Sequence, residues 1–77
     1  MFSVYILQSL KSGKYYVGHT KDLPNRVNEH NVGECNSTRH GVPWHVIHVE
    51  GYATRGEAMK QEARIKRRGI KRYLESA

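Results

Sequence analysis

The chain predicts an α/β protein of the α+β type, a three-stranded antiparallel sheet flanked by helices, and three observations predict it. Two short apolar segments that carry tyrosines, residues 2–8 and 15–20, lie on either side of the turn Lys11-Ser12-Gly13-Lys14. A third apolar run spans residues 44–49. Between and after these strands stand two stretches with recognisable helix starts, Asp22-Leu23-Pro24 and Thr54-Arg55-Gly56-Glu57.

Each element follows from its residues. Residues 2–8 alternate, with Val4 and Ile6 on one face and Tyr5 and Leu7 on the other. Gly13 gives the turn access to positive φ, and residues 15–20 return. A loop with an even number of residues and no bulge puts positions 5, 7, 16 and 18 on one face, so that Tyr5 and Tyr16 project together. Asp22 predicts an N-cap for a helix from Leu23 to about Asn31, with Pro24 in its first turn and Gly33 past its end. Arg26 and His30, four apart, share a face of that helix. Residues 33–43 read as a polar loop and 44–49 as the third strand, carrying Val46, Ile47 and Val49. Thr54 and Glu57 have capping-box spacing for a helix running to about Arg68, where Gly69 stops it. Ala58, Glu62 and Ile65 share a side of this helix, so Glu62 borders its buried face. A short last helix over residues 70–75 completes the order.

The chain has 77 residues and reads as one domain, residues 1–77, with a modest core. Its one cysteine, Cys35, excludes an internal disulfide framework and fits a reducing cytosol. No apolar stretch reaches the length of a membrane span, and residues 1–8 lack the features of a signal peptide, so a cytoplasmic location is expected. Thirteen Lys+Arg against seven Asp+Glu give a formal charge of +6 and point to an anionic partner. Residues 60–72 hold seven of these cations, offset only by Glu62.

The candidate chemistry lies in an ordered set: Tyr5; Tyr16-Val17-Gly18; Thr20, Asp22, Leu23 and Arg26; His30-Asn31 and Gly33; Pro43-Trp44; Glu57-Ala58 with Glu62. In this order and spacing the set resembles the GIY-YIG nuclease superfamily, in particular its small standalone bacterial members, over roughly residues 3–66. Ser3-Val4-Tyr5 stands where that family has Gly-Ile-Tyr, and Val17 replaces the second Ile. Some members also use an Asn near the C-terminus, and none follows Asn36 here.

The resemblance implies a GIY-YIG endonuclease-like fold. It also implies a divalent-metal-dependent endonuclease that hydrolyses DNA phosphodiester bonds, directed by DNA structure or by a targeting protein in repair or recombination; RNA is a further substrate class. Tyr16 would accept the proton of the attacking water. An ordinary phenol, with a pKa near 10, is about one part in a thousand ionised at pH 7, so it needs a metal, a cation or a second base such as His30. Tyr5 would orient the water or a phosphate oxygen. Arg26 would neutralise the charge of the transition state. Glu62 would be the sole protein ligand of Mg²⁺ or Mn²⁺, an ion that keeps several waters. Arg39, Lys66, Arg67 and Arg68 would grip the backbone. The assignment needs the two tyrosines, Arg26 and Glu62 to open onto one concave surface.

Plainer readings stand beside these. Tyr16 fits a packed strand tyrosine, Arg26 an ion pair with Glu29 or Asp22, His30 a packed or capping histidine, and Glu62 an i,i+4 pair with Lys66. Cys35, His40, His19 and His30 match no standard zinc spacing. A non-catalytic nucleic-acid-binding module, or an adaptor of a repair complex, is the alternative function.

Overall fold

The structure is a computed structural model that describes residues 1–76. Its elements are β1 (Phe2–Ser9), β2 (Tyr15–Thr20), α1 (Leu23–Asn31), β3 (Trp44–Tyr52), α2 (Arg55–Arg68) and α3 (Ile70–Glu75). One 3-10 turn, Arg39–Gly41, interrupts the loop before β3. The sheet order is β2-β1-β3 and both pairings are antiparallel, so β1 is central and β2 and β3 are edges.

The hairpin register is the expected one. Gln8 pairs with Tyr15, Leu7 with Tyr16 and Tyr5 with Gly18, so Tyr5, Leu7, Tyr16 and Gly18 share a face. Both predicted helix starts are also present. The Asp22 side chain accepts from the Asn25 amide, and Thr54 with Glu57 forms a complete capping box.

β3 runs three residues beyond the expected Val49, and an irregularity explains why. Ile6 pairs with His48 but Leu7 pairs with Val46, leaving Ile47 as the extra residue of a bulge. The bulge reverses the facing of the strand. Trp44 and Val46 lie with Leu7 on the tyrosine face, whereas His48, Glu50 and Tyr52 lie with Ile6, Val4 and Phe2 on the other.

Two clusters result, one on each face. Tyr5, Leu7 and Trp44 gather Tyr16, Leu23, Val27, Val42 and Val46 on the side that α1 covers. Val4, Ile6 and Val17 meet Ala58 and Ile65 of α2, with Ile70, Tyr73 and Leu74 of α3, on the other. This corrects the expectation of a single concave surface, and the condition set for grouping Glu62 with the two tyrosines on one surface is not met. The apolar stripe of α2 buries itself on the hairpin face that carries Val4, Ile6 and Val17, so α2 and its Glu62 belong to the face opposite Tyr5 and Tyr16.

Candidate active site

On the tyrosine face, Tyr5 is buried, 1% exposed, and its hydroxyl is enclosed by three elements. The Cα of Gly18 lies across from it on β2; a Cβ there would come within 2.7 Å of the Tyr5 hydroxyl oxygen, so only glycine leaves room. His30, at the end of α1, places Nε2 3.0 Å from that hydroxyl and Nδ1 2.7 Å from Thr38 Oγ1. The Thr38 hydroxyl in turn faces the Cys35 carbonyl at 3.4 Å. One proton arrangement satisfies this chain: Tyr5 donates to His30 Nε2, His30 Nδ1–H donates to Thr38, and Thr38 donates to Cys35. The Arg26 guanidinium lies near enough to the Tyr5 oxygen for its charge to pull against the burial of the phenol.

This wiring corrects the expected role of His30. The residue is 0% exposed and so cannot meet a phosphate oxygen, and its hydrogen bonds go to Tyr5 and Thr38 rather than to Tyr16. It is a positioning residue for Tyr5. Burial, reinforced by the Arg26 charge, lowers its pKa from the ordinary 6.5, so it stays neutral. Burial pushes the Tyr5 phenol up to about 12 against the opposing pull of Arg26, which suits it to orienting and not to accepting a proton. Arg26 itself is partly exposed and is paired with Glu29 at 3.0 Å. That pair was the plainer reading, and it leaves other guanidinium donors to meet an anion.

Tyr16 is half-buried and differs from Tyr5 in having its hydroxyl free of hydrogen-bond partners among the described residues. Its ring packs edge-on against His30 at 5.0 Å and Trp44 at 6.4 Å. With Lys14, Ser37, His40 and Trp44 it lines a cleft of about 250 Å³.

Glu62 is approached from the other face but reaches the open edge of β2. Its Oε1 lies 2.6 Å from His19 Nδ1 and its Oε2 2.8 Å from Lys66 Nζ. Burial alone would raise its carboxyl; the hydrogen bonds from Lys66 and His19 outweigh that and hold it below the ordinary carboxylate range. A site that used both Tyr16 and Glu62 would have to reach around β2. Strand alternation sends Tyr16 to one side and His19, three residues on, to the other.

These residues suit a hydrated Mg²⁺ or Mn²⁺. Among the described residues no three His, Cys, Asp or Glu side chains group as a metal cage. Glu62 opens instead into a small cleft of about 140 Å³ with His19, Met59, Ala63 and Lys66. Lys66 and His19 now occupy this carboxylate, so an ion held by Glu62 would displace Lys66 and, with one carboxylate to bind it, would keep most of its waters.

The predicted backbone-gripping cations do not form one patch. Lys66 is committed to Glu62 on the β2 flank of α2. Arg67 and Arg68 instead line, with Arg64, Arg72 and Tyr73, a groove of about 550 Å³ between α2 and α3. Arg39 is exposed on the 3-10 turn.

Two residues to which the sequence reading gave no role, Asn31 and Glu50, organise much of the surroundings. Asn31 receives the Trp44 amide on Oδ1 at 2.6 Å and donates to the Trp44 carbonyl at 3.0 Å, tying α1 to the exposed edge of β3. Glu50 gathers His48, Tyr52, Gln61 and Tyr73. Burial opposes its ionisation, but the donors prevail and bring its pKa down to about 2. The position of His19 directly after Tyr16-Val17-Gly18 was the one readable hint of its place at the edge.

The tyrosine face thus holds a buried, hydrogen-bonded tyrosine beside one that lines a cleft, and the Glu62 carboxylate lies at the edge of β2. A profile of the GIY-YIG catalytic domain matches residues 1–73, so the chain belongs to the GIY-YIG family. It is 40% identical over 67 residues to a UPF0213 protein of Halobacterium salinarum, a span covering 86% of each chain. It is 37% identical over 79 aligned positions to the structure-specific endonuclease subunit slx1 of Schizosaccharomyces pombe, covering 94% of this chain and 29% of that protein. The solution NMR structure of a UPF0213 protein from Bacillus halodurans has the same fold, with a TM-score of 0.58 and 28% identity, over 97% of this chain and 81% of that one.

Proposed function

We propose that this protein is a divalent-metal-dependent endonuclease that hydrolyses DNA phosphodiester bonds across the open edge of β2, directed by DNA structure or by a targeting protein. The observation that supports this reading most strongly is the Glu62 carboxylate at the edge of β2, paired there with His19 of that strand and with Lys66, while Tyr16 of the same strand lines a cleft on the other side. A phosphodiester lying along it would face the Tyr16 hydroxyl on one side and the Glu62 carboxylate on the other.

In the proposed reaction a water oxygen bonds to phosphorus and the bond from phosphorus to the leaving sugar oxygen breaks. Tyr16 takes the water's proton, and the leaving oxygen is protonated from solvent. Arg26, held by Glu29, offers its remaining donors to the non-bridging oxygens as charge builds. Tyr5, held by His30, orients the water or a phosphate oxygen beside it. A bound Mg²⁺ or Mn²⁺ would supply Lewis-acid stabilisation of the phosphoryl and leaving oxygens. Glu62 would hold it, and Lys66 would be released from Glu62 toward the phosphates. Arg39, Arg67 and Arg68 extend the positive surface for the flanking nucleic acid.

Labelled duplex, nicked, flapped and branched DNA, each with and without Mg²⁺, tests the proposal, with Glu62→Gln as control. Metal-dependent cleavage of at least one substrate, lost in Glu62→Gln, is the expected result. Tight binding without cleavage of any substrate would favour the binding-module reading.

A further inference from the structure

Glu62 does not stand alone at the edge of β2. His19 Nδ1 lies 2.6 Å from Glu62 Oε1, and the two come from elements that meet only through the fold, β2 and α2. The His19 and Glu62 side chains are 21% and 17% exposed, enough for an ion to enter and too little for free rotation of either. On the other carboxylate oxygen, the Lys66 ammonium at 2.8 Å stands where a cation belongs, and its side chain is 58% exposed and able to swing out.

We propose that His19 is a second protein ligand of the ion held by Glu62, making a mixed imidazole–carboxylate site that favours Mn²⁺ over Mg²⁺. The proposal rests on the reading of Glu62 as a metal ligand and adds a ligand to it. Neighbouring ligands of an octahedral ion, each about 2.1 Å from the metal, stand roughly 3 Å apart. The His19 nitrogen and the Glu62 oxygen, which point at each other at 2.6 Å, need to part by a few tenths of an ångström and turn their lone pairs toward the ion. Coordination replaces the hydrogen bond between them and moves the ring proton to Nε2. The Arg55 guanidinium, 3.5 Å from Nε2, belongs to an exposed side chain lying over the Phe2 ring, and it is free to withdraw. Water and phosphate oxygens fill the remaining positions.

The chemical consequence is selectivity. Mg²⁺ prefers an all-oxygen shell, whereas an imidazole nitrogen shifts a site toward the first-row divalent ions, least for Mn²⁺ and more for Zn²⁺, so that Mn²⁺ gains on Mg²⁺. The chain thus places one metal ligand and the free tyrosine on a single six-residue strand, three positions apart and on opposite sides of it.

Mn²⁺ binding measured by electron paramagnetic resonance, with Mg²⁺ as competitor, tests this on the purified protein, His19→Ala and Glu62→Gln. Circular dichroism verifies that each variant is folded. Loss of His19 should weaken Mn²⁺ binding by about tenfold or more, while Mg²⁺ binding changes by less than about threefold. With Zn²⁺ as a diamagnetic probe, the Nδ1 nitrogen resonance of His19 should shift in the parent protein. Unchanged Mn²⁺ affinity in His19→Ala, with binding abolished in Glu62→Gln, would overturn the proposal and leave Glu62 as sole ligand. Unchanged affinity in Glu62→Gln, or no Mn²⁺ binding by the parent protein, would overturn both readings.

Discussion

Tyr5 and Tyr16 sit on the same face of one hairpin, yet the structure treats them oppositely. Tyr5 is enclosed, with Arg26, His30 and Gly18 around its hydroxyl and a hydrogen-bond chain continuing to Thr38 and Cys35. Tyr16 has no hydrogen-bond partner for its hydroxyl among the described residues and lines a cleft with Lys14 and His40, while Lys66 and Glu62, on the other flank of β2, are held by partners that can be exchanged. The contrast separates scaffold from reactive surface. A group fully wired at neutral pH orients others, whereas a group with an open valence can take part in a reaction.

That distinction can be broken first at His30. Removing its ring orphans the buried Tyr5 and Thr38 hydroxyls and opens a cavity, so His30→Ala should lose about 3 kcal/mol of stability in urea unfolding. Replacement of an exposed catalytic histidine would cost far less. A loss under about 0.5 kcal/mol would contradict the scaffold role.

Gly18 comes next. A methyl group there meets the Tyr5 hydroxyl at 2.7 Å and ring carbon at 2.9 Å, so Gly18→Ala should cost about 2 kcal/mol by overpacking. In a double-mutant cycle with Tyr5→Phe the two losses should sum to more than the combined variant shows. Strict additivity would mean the clash is relieved elsewhere.

A smaller effect follows from pH. Burial and the Arg26 charge lower the pKa of His30 in the folded state below its ordinary 6.5, so protons bind the unfolded chain preferentially. The stabilising contribution is complete above pH 6.5 and is lost as pH falls through and below that value. Glu50, brought down to about 2, contributes in the same direction only below about pH 4.5. Between pH 6.5 and 5 the stability of the parent protein should therefore fall more steeply than that of His30→Gln. Parallel curves would show that His30 is not held neutral.

The smallest expected effect is on binding. Arg67 and Arg68 line a groove away from Glu62, while Lys66 is ion-paired, so the three should not contribute equally to DNA affinity. Replacing Arg67 and Arg68 by Ala should flatten the salt dependence of binding by about two phosphate contacts. Replacing Lys66 alone should change it by less than one, when metal is absent.

The scaffold half of this picture was legible in the sequence, and the reactive half only partly. Alternation along residues 2–8 and 15–20, with the even loop between them, placed Tyr5 beside Tyr16. Asp22, Thr54 and Glu57 announced both long helices through local capping chemistry. The course of β3 was hidden because one extra residue, Ile47, turns His48, Glu50 and Tyr52 inward and makes a polar stretch the continuation of a strand. The facing of Glu62 was misjudged because periodicity gives which side of a helix is buried, not which side of the sheet buries it. Val4, Ile6 and Val17 carried that information: an aliphatic face needs an apolar stripe, and Ala58 and Ile65 supply it.

The central claim is that Tyr16 and Glu62, on opposite faces of the sheet, act as one site around the edge of β2. A kinetic double-mutant cycle with Tyr16→Phe and Glu62→Gln on a cleaved DNA substrate tests it most directly. Each single change should lower kcat/KM by about a hundredfold or more, with DNA binding in the absence of metal retained. Groups that act as a unit are not additive, so the double variant should be little worse than either single one. A double variant whose loss is the full product of the two, or a single variant that cleaves undiminished, would contradict the claim.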